Sequence, residues 1–88
     1  MIPSLQTDNL LQADRVYFDC VFQNKNYALF CDRNYTVGRV KDLFQSTFRS
    51  GAVTQILTAT DFPLESDQSI VSLIDLGVLL NGDVINIV

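Results

Sequence analysis

The residues able to do chemistry are few. The 88-residue chain has no histidine and only two cysteines, Cys20 and Cys31. That leaves out a histidine-based triad, a histidine metal cluster and a four-thiolate zinc site. No pair of side chains forms a recognisable nucleophile and base, so no catalytic residue is assigned and the chain reads as a non-enzyme. Asp61, Glu65 and Asp67 put three carboxylates into one short block, but they are interleaved with Pro, Ser and Gln and read as solvated turn residues. Asn81-Gly82-Asp83 has the composition of part of a calcium loop and lacks the remaining oxygen ligands and the closing glutamate. Neither a metal nor a cofactor is expected. What remains is Phe62-Pro63, an aromatic ring beside a stiff proline in a polar loop. Exposed, such a ring fills an apolar pocket on a partner at small entropic cost; turned inward, it only closes the loop over the chain's own core.

Charge narrows the partners further. Six Lys/Arg stand against ten Asp/Glu, for a net charge of −4, and from Gly51 to Val88 there are acids but no base. Nucleic acid is therefore not an expected partner, because phosphate neutralisation needs clustered Lys and Arg. No run approaches the roughly 18 to 20 uncharged apolar residues of a membrane helix, and the N-terminus lacks a basic segment followed by an apolar one. Neither membrane insertion nor secretion is expected. Apolar residues make up 48% of the chain, enough for one core. Without a secretory signal, Cys20 and Cys31 read as small buried apolar residues, although they flank a hairpin and would face each other in one register.

The elements that must position these residues follow from periodicity. Residues 1–14 show no sustained period and are expected to be a partly ordered extension. RVYFDCVFQ, from Arg15 to Gln23, alternates, with Val16, Phe18, Cys20 and Phe22 on one face and Tyr17, Asp19 and Val21 on the other. Asn24, Lys25 and Asn26 read as the turn into a second strand from Tyr27 to Cys31. In that strand either Leu29 with Cys31 or Ala28 with Phe30 takes the core face. Thr36 suits a helix N-cap, and Val37, Val40, Phe44 and Phe48 recur at helical spacing with Leu43 beside them, predicting about three turns. Gly38 weakens the first of those turns, and Ser50-Gly51 ends the helix. A third strand is expected over Gln55–Thr60, a helical turn over Ser72–Leu76, a tight turn at Asn81-Gly82 and a closing strand over Asp83–Val88. In that last strand Ile85 and Ile87 face inward and Asn86 outward. A hairpin, one helix and further strands make a two-layer α+β domain over residues 15–88, most simply with the last strand parallel to the first.

At this point the residues carry a resemblance. SLIDLGVLLNGDVINIV resembles the closing segment of ubiquitin-like domains, and TVGRVKDLF the opening of their helix, which implies a ubiquitin-like β-grasp. QILTATDFPLESDQS resembles the segment of UBX domains with a Phe-Pro pair between the third and fourth strands. In that family the pair enters a cleft in the N-terminal domain of the hexameric AAA unfoldase valosin-containing protein, often with a cis bond before the proline. Residue by residue, this implies partner binding by Thr60, Asp61, Phe62, Pro63 and Leu64. YALFCDRNYTVGRVKDL with LLNGDVINIV is similar to the C-terminal ubiquitin-like domain of arsenite-inducible zinc-finger proteins, which also engage that ATPase and the proteasome. The resemblance thus implies an AAA ATPase adaptor of the ubiquitin–proteasome or stress-response system, in the cytoplasm and also the nucleus. UBX domains usually place an arginine on the first strand and a basic residue after the proline; here Asp19 and Leu64 stand there, so the charged anchor is missing or supplied by Arg15 or Lys25.

Two other functions are weighed. Leu57 neighbours core-facing Ile56 and is expected on the outer sheet face, where ubiquitin-like folds carry an apolar recognition patch; with Tyr17, Asp19 and Val21 it implies a ubiquitin mimic read by proteasomal receptors. No Gly-Gly follows Ile87-Val88 in these residues, so conjugation is not expected. A sulfur carrier or covalent modifier with a missing Gly-Gly tail is the alternative from another class.

Overall fold

Two eight-residue strands open the described chain. The computed structural model describes residues 15–88, so the expected extension over residues 1–14 lies outside the described residues. Strand β1 (Arg15–Phe22) and strand β2 (Lys25–Asp32) pair antiparallel without interruption, from Arg15 opposite Asp32 to Phe22 opposite Lys25. The turn is Gln23-Asn24, not Asn24 to Asn26: both residues have positive φ (51° and 65°), as a two-residue loop matched to strand twist requires. This register buries Leu29 and Cys31 and leaves Ala28 and Phe30 outside.

It also separates the cysteines. Cys20 lies opposite Tyr27 and Cys31 opposite Val16, so Cys31 is four residues along the neighbouring strand, about 13 Å away at strand rise. That exceeds the reach of a disulfide, and both thiols are free and buried.

Helix α1 (Val37–Phe48) is capped by Thr36, whose side chain accepts from Arg39 N–H at 3.1 Å. Val37, Val40 and Phe44 are buried, with Leu43 and Phe48 partly so, as the spacing predicts. The helix ends one step earlier than Ser50-Gly51: Arg49 already has a left-handed backbone at its C-cap. Strand β3 (Ile56–Thr58), helix α2 (Ile70–Asp75) and strand β4 (Val84–Ile87) complete the order. Each edge of these three differs from the expected bounds by one or two residues. Ser69 caps α2 by accepting from Ser72 N–H, which starts that helix earlier than Ser72, and the Gly77 backbone, at φ 76°, lies just beyond its end.

The sheet order is β2-β1-β4-β3, with β4 parallel to β1 at the centre and antiparallel to β3. Its inner face carries Val16, Phe18, Cys20, Phe22, Leu29, Cys31, Ile56, Ile85 and Ile87 against the buried stripes of α1 and α2. Both cap regions are laced together: Val37 N–H donates to Gln68 O, Gly38 N–H to Ser66 O, and Ile70 N–H to Tyr35 O. These bonds satisfy amides that a helix start leaves free. They also explain Gly38, where an added Cβ would lie 3.2 Å from the Ser66 carbonyl oxygen. Gly38→Ala is therefore expected to lower stability by about 1 kcal/mol, although alanine is the better helix former by a similar amount. A lower urea midpoint bears this out, and a raised one shows that the 66–68 segment yields.

Candidate functional site

Strand β3 ends in a fold-back that carries the Phe-Pro pair. Thr58 accepts from Asp61 N–H through its carbonyl (2.8 Å) and from Phe62 N–H through Oγ1 (3.1 Å), and its own N–H donates to Phe62 O (2.9 Å). Asp61 turns the chain with a φ of 66°. Its Oδ1 accepts from Asn86 Nδ2 at 3.1 Å, and the same amide also donates to Thr58 O. Thr60 Oγ1 lies 3.1 Å from Thr58 Oγ1. Pro63 then bridges back antiparallel to Leu57, and Leu64 N–H donates to Ile56 O at 2.9 Å. Both backbone polar groups of Phe62 are thus fixed to one residue, and Pro63 has no N–H to satisfy.

On this pedestal the Phe62 ring is 62% exposed, so the inward-folded alternative does not hold. Thr60, Asp61 and Pro63 are exposed beside it. Leu64 corrects the expectation: it is only 6% exposed and belongs to the core. In the extended return segment it shares the inner face with Ile56, leaving nothing for a partner to take up. The chain has no cis peptide bond among the described residues, so the Asp61-Phe62-Pro63 turn is built with trans geometry. Thr58 and Asn86 support this loop; sequence reasoning places Asn86 outward without linking it to the loop and passes over Thr58, for which a threonine just before a turn is the available signal.

Electrostatics around the ring is one-sided. Asp61, Glu65 and Asp67 are all exposed, and no base occurs between Gly51 and Val88. The first-strand position does not change this, since β4 stands between β1 and β3. Asp19 is therefore two strand spacings away, about 10 Å, and its carboxylate faces Asn26 Nδ2 at 3.4 Å. Lys25 belongs to β2, the opposite edge of the sheet, and does not flank the loop.

The outer face carries the second group. Tyr17, Asp19 and Val21 are half-buried there, and Leu57, also half-buried, lies opposite Asn86, which in turn lies opposite Val21. Tyr17 is at the other end, its ring 5.2 Å from that of Phe30, beside a shallow cavity of about 330 Å³ lined by Arg15, Val16, Tyr17, Phe30 and Asn81. Phe30 and Val84 extend this face.

These features match known folds more closely than known sequences. Residues 15–88 form the four-stranded mixed sheet with β4 parallel to β1 and α1 across one face. The fold is a ubiquitin-like β-grasp. The N-terminal ubiquitin-like domain of the 4931431F19Rik protein is similar at a TM-score of 0.67 and 15% identity, over 85% of this chain and 74% of that one. The Arabidopsis thaliana protein At2g32350 is similar at 0.66 and 16%, over 85% and 86%. The EccD5 ubiquitin-like domain from Mycobacterium xenopi follows at 0.61 and 14%, over 84% and 92%. No family model matches the sequence, and no curated protein matches it.

Both thiols of this β-grasp domain are buried. Burial, reinforced by nearby acidic side chains, pushes Cys20 up to about 12 and Cys31 up to about 11. Since the thiolate is the reactive form, the native protein is expected to resist alkylation at pH 8 and to react fully in denaturant, as read by mass spectrometry. The linkage has a definite sign. Above about pH 9 the unfolded thiols lose protons that the folded ones keep, so stability is complete below that pH and falls as pH rises toward 11 to 12.

Proposed function

We propose that this ubiquitin-like domain is a non-catalytic protein-recognition module that inserts Phe62, backed by Pro63, into an apolar cleft on its partner. The observation that carries the reading is a large aromatic side chain left in solvent while both backbone polar groups of Phe62 are tied to Thr58. Preorganisation of this kind lowers the entropy cost of docking. The partner favoured by the resemblance of the loop to UBX domains is the N-terminal domain of valosin-containing AAA ATPase, within the ubiquitin–proteasome or stress-response system of the cytoplasm. The docking segment is Thr60 to Pro63, with Leu64 as its internal anchor. The acidic surround of Asp61, Glu65 and Asp67 suits a cleft with a basic rim.

The test is a proton–nitrogen correlation titration of the labelled domain with the isolated N-terminal domain of the ATPase. Shifts concentrated on residues 58–65 and Asn86 support the reading; an unchanged spectrum at saturating partner sinks it. A second reading, recognition of the outer face by proteasomal receptors, is favoured by Leu57, Val21, Tyr17, Phe30 and Val84 sharing that face. Leu57→Lys separates the two, because it removes receptor binding under the second reading and spares the Phe62 contact under the first.

A further inference from the structure

Among the described residues, strand β2 is an outer edge of the sheet along its whole length. The direction of its backbone groups follows from β1. Tyr17 N–H donates to Asn81 Oδ1 and its carbonyl accepts from Gly82 N–H, both at 2.7 Å, while Asp19 N–H donates to Asp83 O at 2.9 Å. Tyr17 and Asp19 therefore turn their backbone groups toward β4. Their partners on β2, Phe30 and Ala28, are the non-hydrogen-bonded positions of the hairpin and, with Asn26, aim N–H and C=O out of the sheet. Among the described residues none of these groups meets a partner beyond the hairpin.

Natural edges are usually defended by proline, a bulge or a central charge. β2 has none of these: its register is continuous, and its charges, Lys25 and Asp32, stand only at its two ends. Phe30, beside the edge, is 56% exposed.

We infer that β2 pairs with β2 of a second copy of this chain, antiparallel about a two-fold axis at Leu29, joining two four-stranded sheets into one of eight. Side chains select that register. It sets Phe30 of each copy against Ala28 of the other, large against small on the outer face, and Asn26 against the carboxylate of Asp32. An axis at Ala28 leaves Ala28 facing Ala28 and Phe30 facing an amide, whereas an axis at Phe30 sets the Asp32 carboxylate against Ala28, one strand from Asp19 of that copy. The outward N–H and C=O groups of Ala28 and Phe30 then complete each other's hydrogen bonds across the axis. Because β3 forms the opposite edge, the pairing leaves both Phe62 rings free.

A ladder of this length buries less than the roughly 1,200 Å² of a standard interface, so the dimer is weak and concentration-dependent. Sedimentation equilibrium of the full 88-residue chain, from about 10 µM to about 1 mM, is expected to show the average mass rising from 9.9 kDa toward twice that value. Ala28→Pro removes an outward N–H and no internal ladder bond, and Phe30→Lys sets a charge against the small side chain opposite. Each variant, verified as folded by circular dichroism, is expected to remain at monomer mass. A wild-type chain that stays monomeric over the whole range overturns the inference, including the case in which the edge instead takes an extended peptide from another protein. So does a dimer that persists unchanged in both variants.

Discussion

Phe62→Ala is expected to weaken binding to the N-terminal domain of the ATPase by about thirtyfold or more while leaving the domain's own stability within about 0.5 kcal/mol. Both halves of that expectation follow from the 62% exposure of Phe62. A phenylalanine that remains mostly in solvent has little to lose on folding. With roughly 120 Å² of apolar surface still available, its burial in a cleft contributes up to about 3 kcal/mol. Truncation deletes that surface and leaves the pedestal intact, because the bonds from Thr58 and Asn86 reach backbone atoms and Asp61, none of them in the ring. Isothermal titration calorimetry of wild type and variant, with circular dichroism melts as the folding control, measures both halves. A folded Phe62→Ala domain with wild-type affinity removes the ring from the contact. Pro63→Gly tests the stiffness of the mount and is expected to have a smaller effect, of a few fold, since it acts through loop entropy.

Phe44→Ala is expected to be the most damaging truncation on the helix, costing about 3 to 5 kcal/mol. Phe44 is 0% exposed, and its ring packs edge-on against Phe22 and Tyr27 at 5.5 Å and tilted against Phe48 at 5.0 Å. One side chain thus joins β1, β2 and two turns of α1, and its removal opens a cavity that three separately anchored rings cannot all close. A domain of this size has a total stability of about 4 to 13 kcal/mol, so the loss is a large part of the whole and corresponds to a fall in melting temperature of about 15 °C or more. The chain has no tryptophan, so urea unfolding followed by far-ultraviolet circular dichroism is the suitable readout. A shift below 1 kcal/mol contradicts the central role of this ring. Phe44→Leu, which keeps more of the volume, is expected to cost distinctly less.

The two predictions show where sequence reasoning reaches and where it stops. The Phe44 stripe was legible because helical spacing is a local property, and α1 buries the residues that its period places on one side. The face carrying Phe18 and Cys20 was legible for the same reason, as strand alternation has only two outcomes. Pairing register is different. Whether Leu29 or Phe30 entered the core depended on a two-residue turn at Gln23-Asn24, and the sequence pattern allowed a longer one. The resemblance places Leu64 at the surface because it treats the loop as a unit. Only the return of the chain onto Ile56 shows that consecutive residues there divide between partner and core. Gly38 reads along the chain as a weak spot in a helix, yet an added Cβ there would crowd a carbonyl 28 residues further on.

By itself the amino-acid order determined the element types, their succession, the amphipathic faces and the absence of histidine chemistry, since each of these depends on neighbours within a turn or on composition. Tertiary structure decided the exposure of Phe62, the burial of Leu64, the separation of the cysteines and the open edge of β2. Those outcomes rest on contacts between segments far apart in sequence, where hydrogen-bond closure and packing volume, and not local pattern, select among arrangements that the chain alone permits.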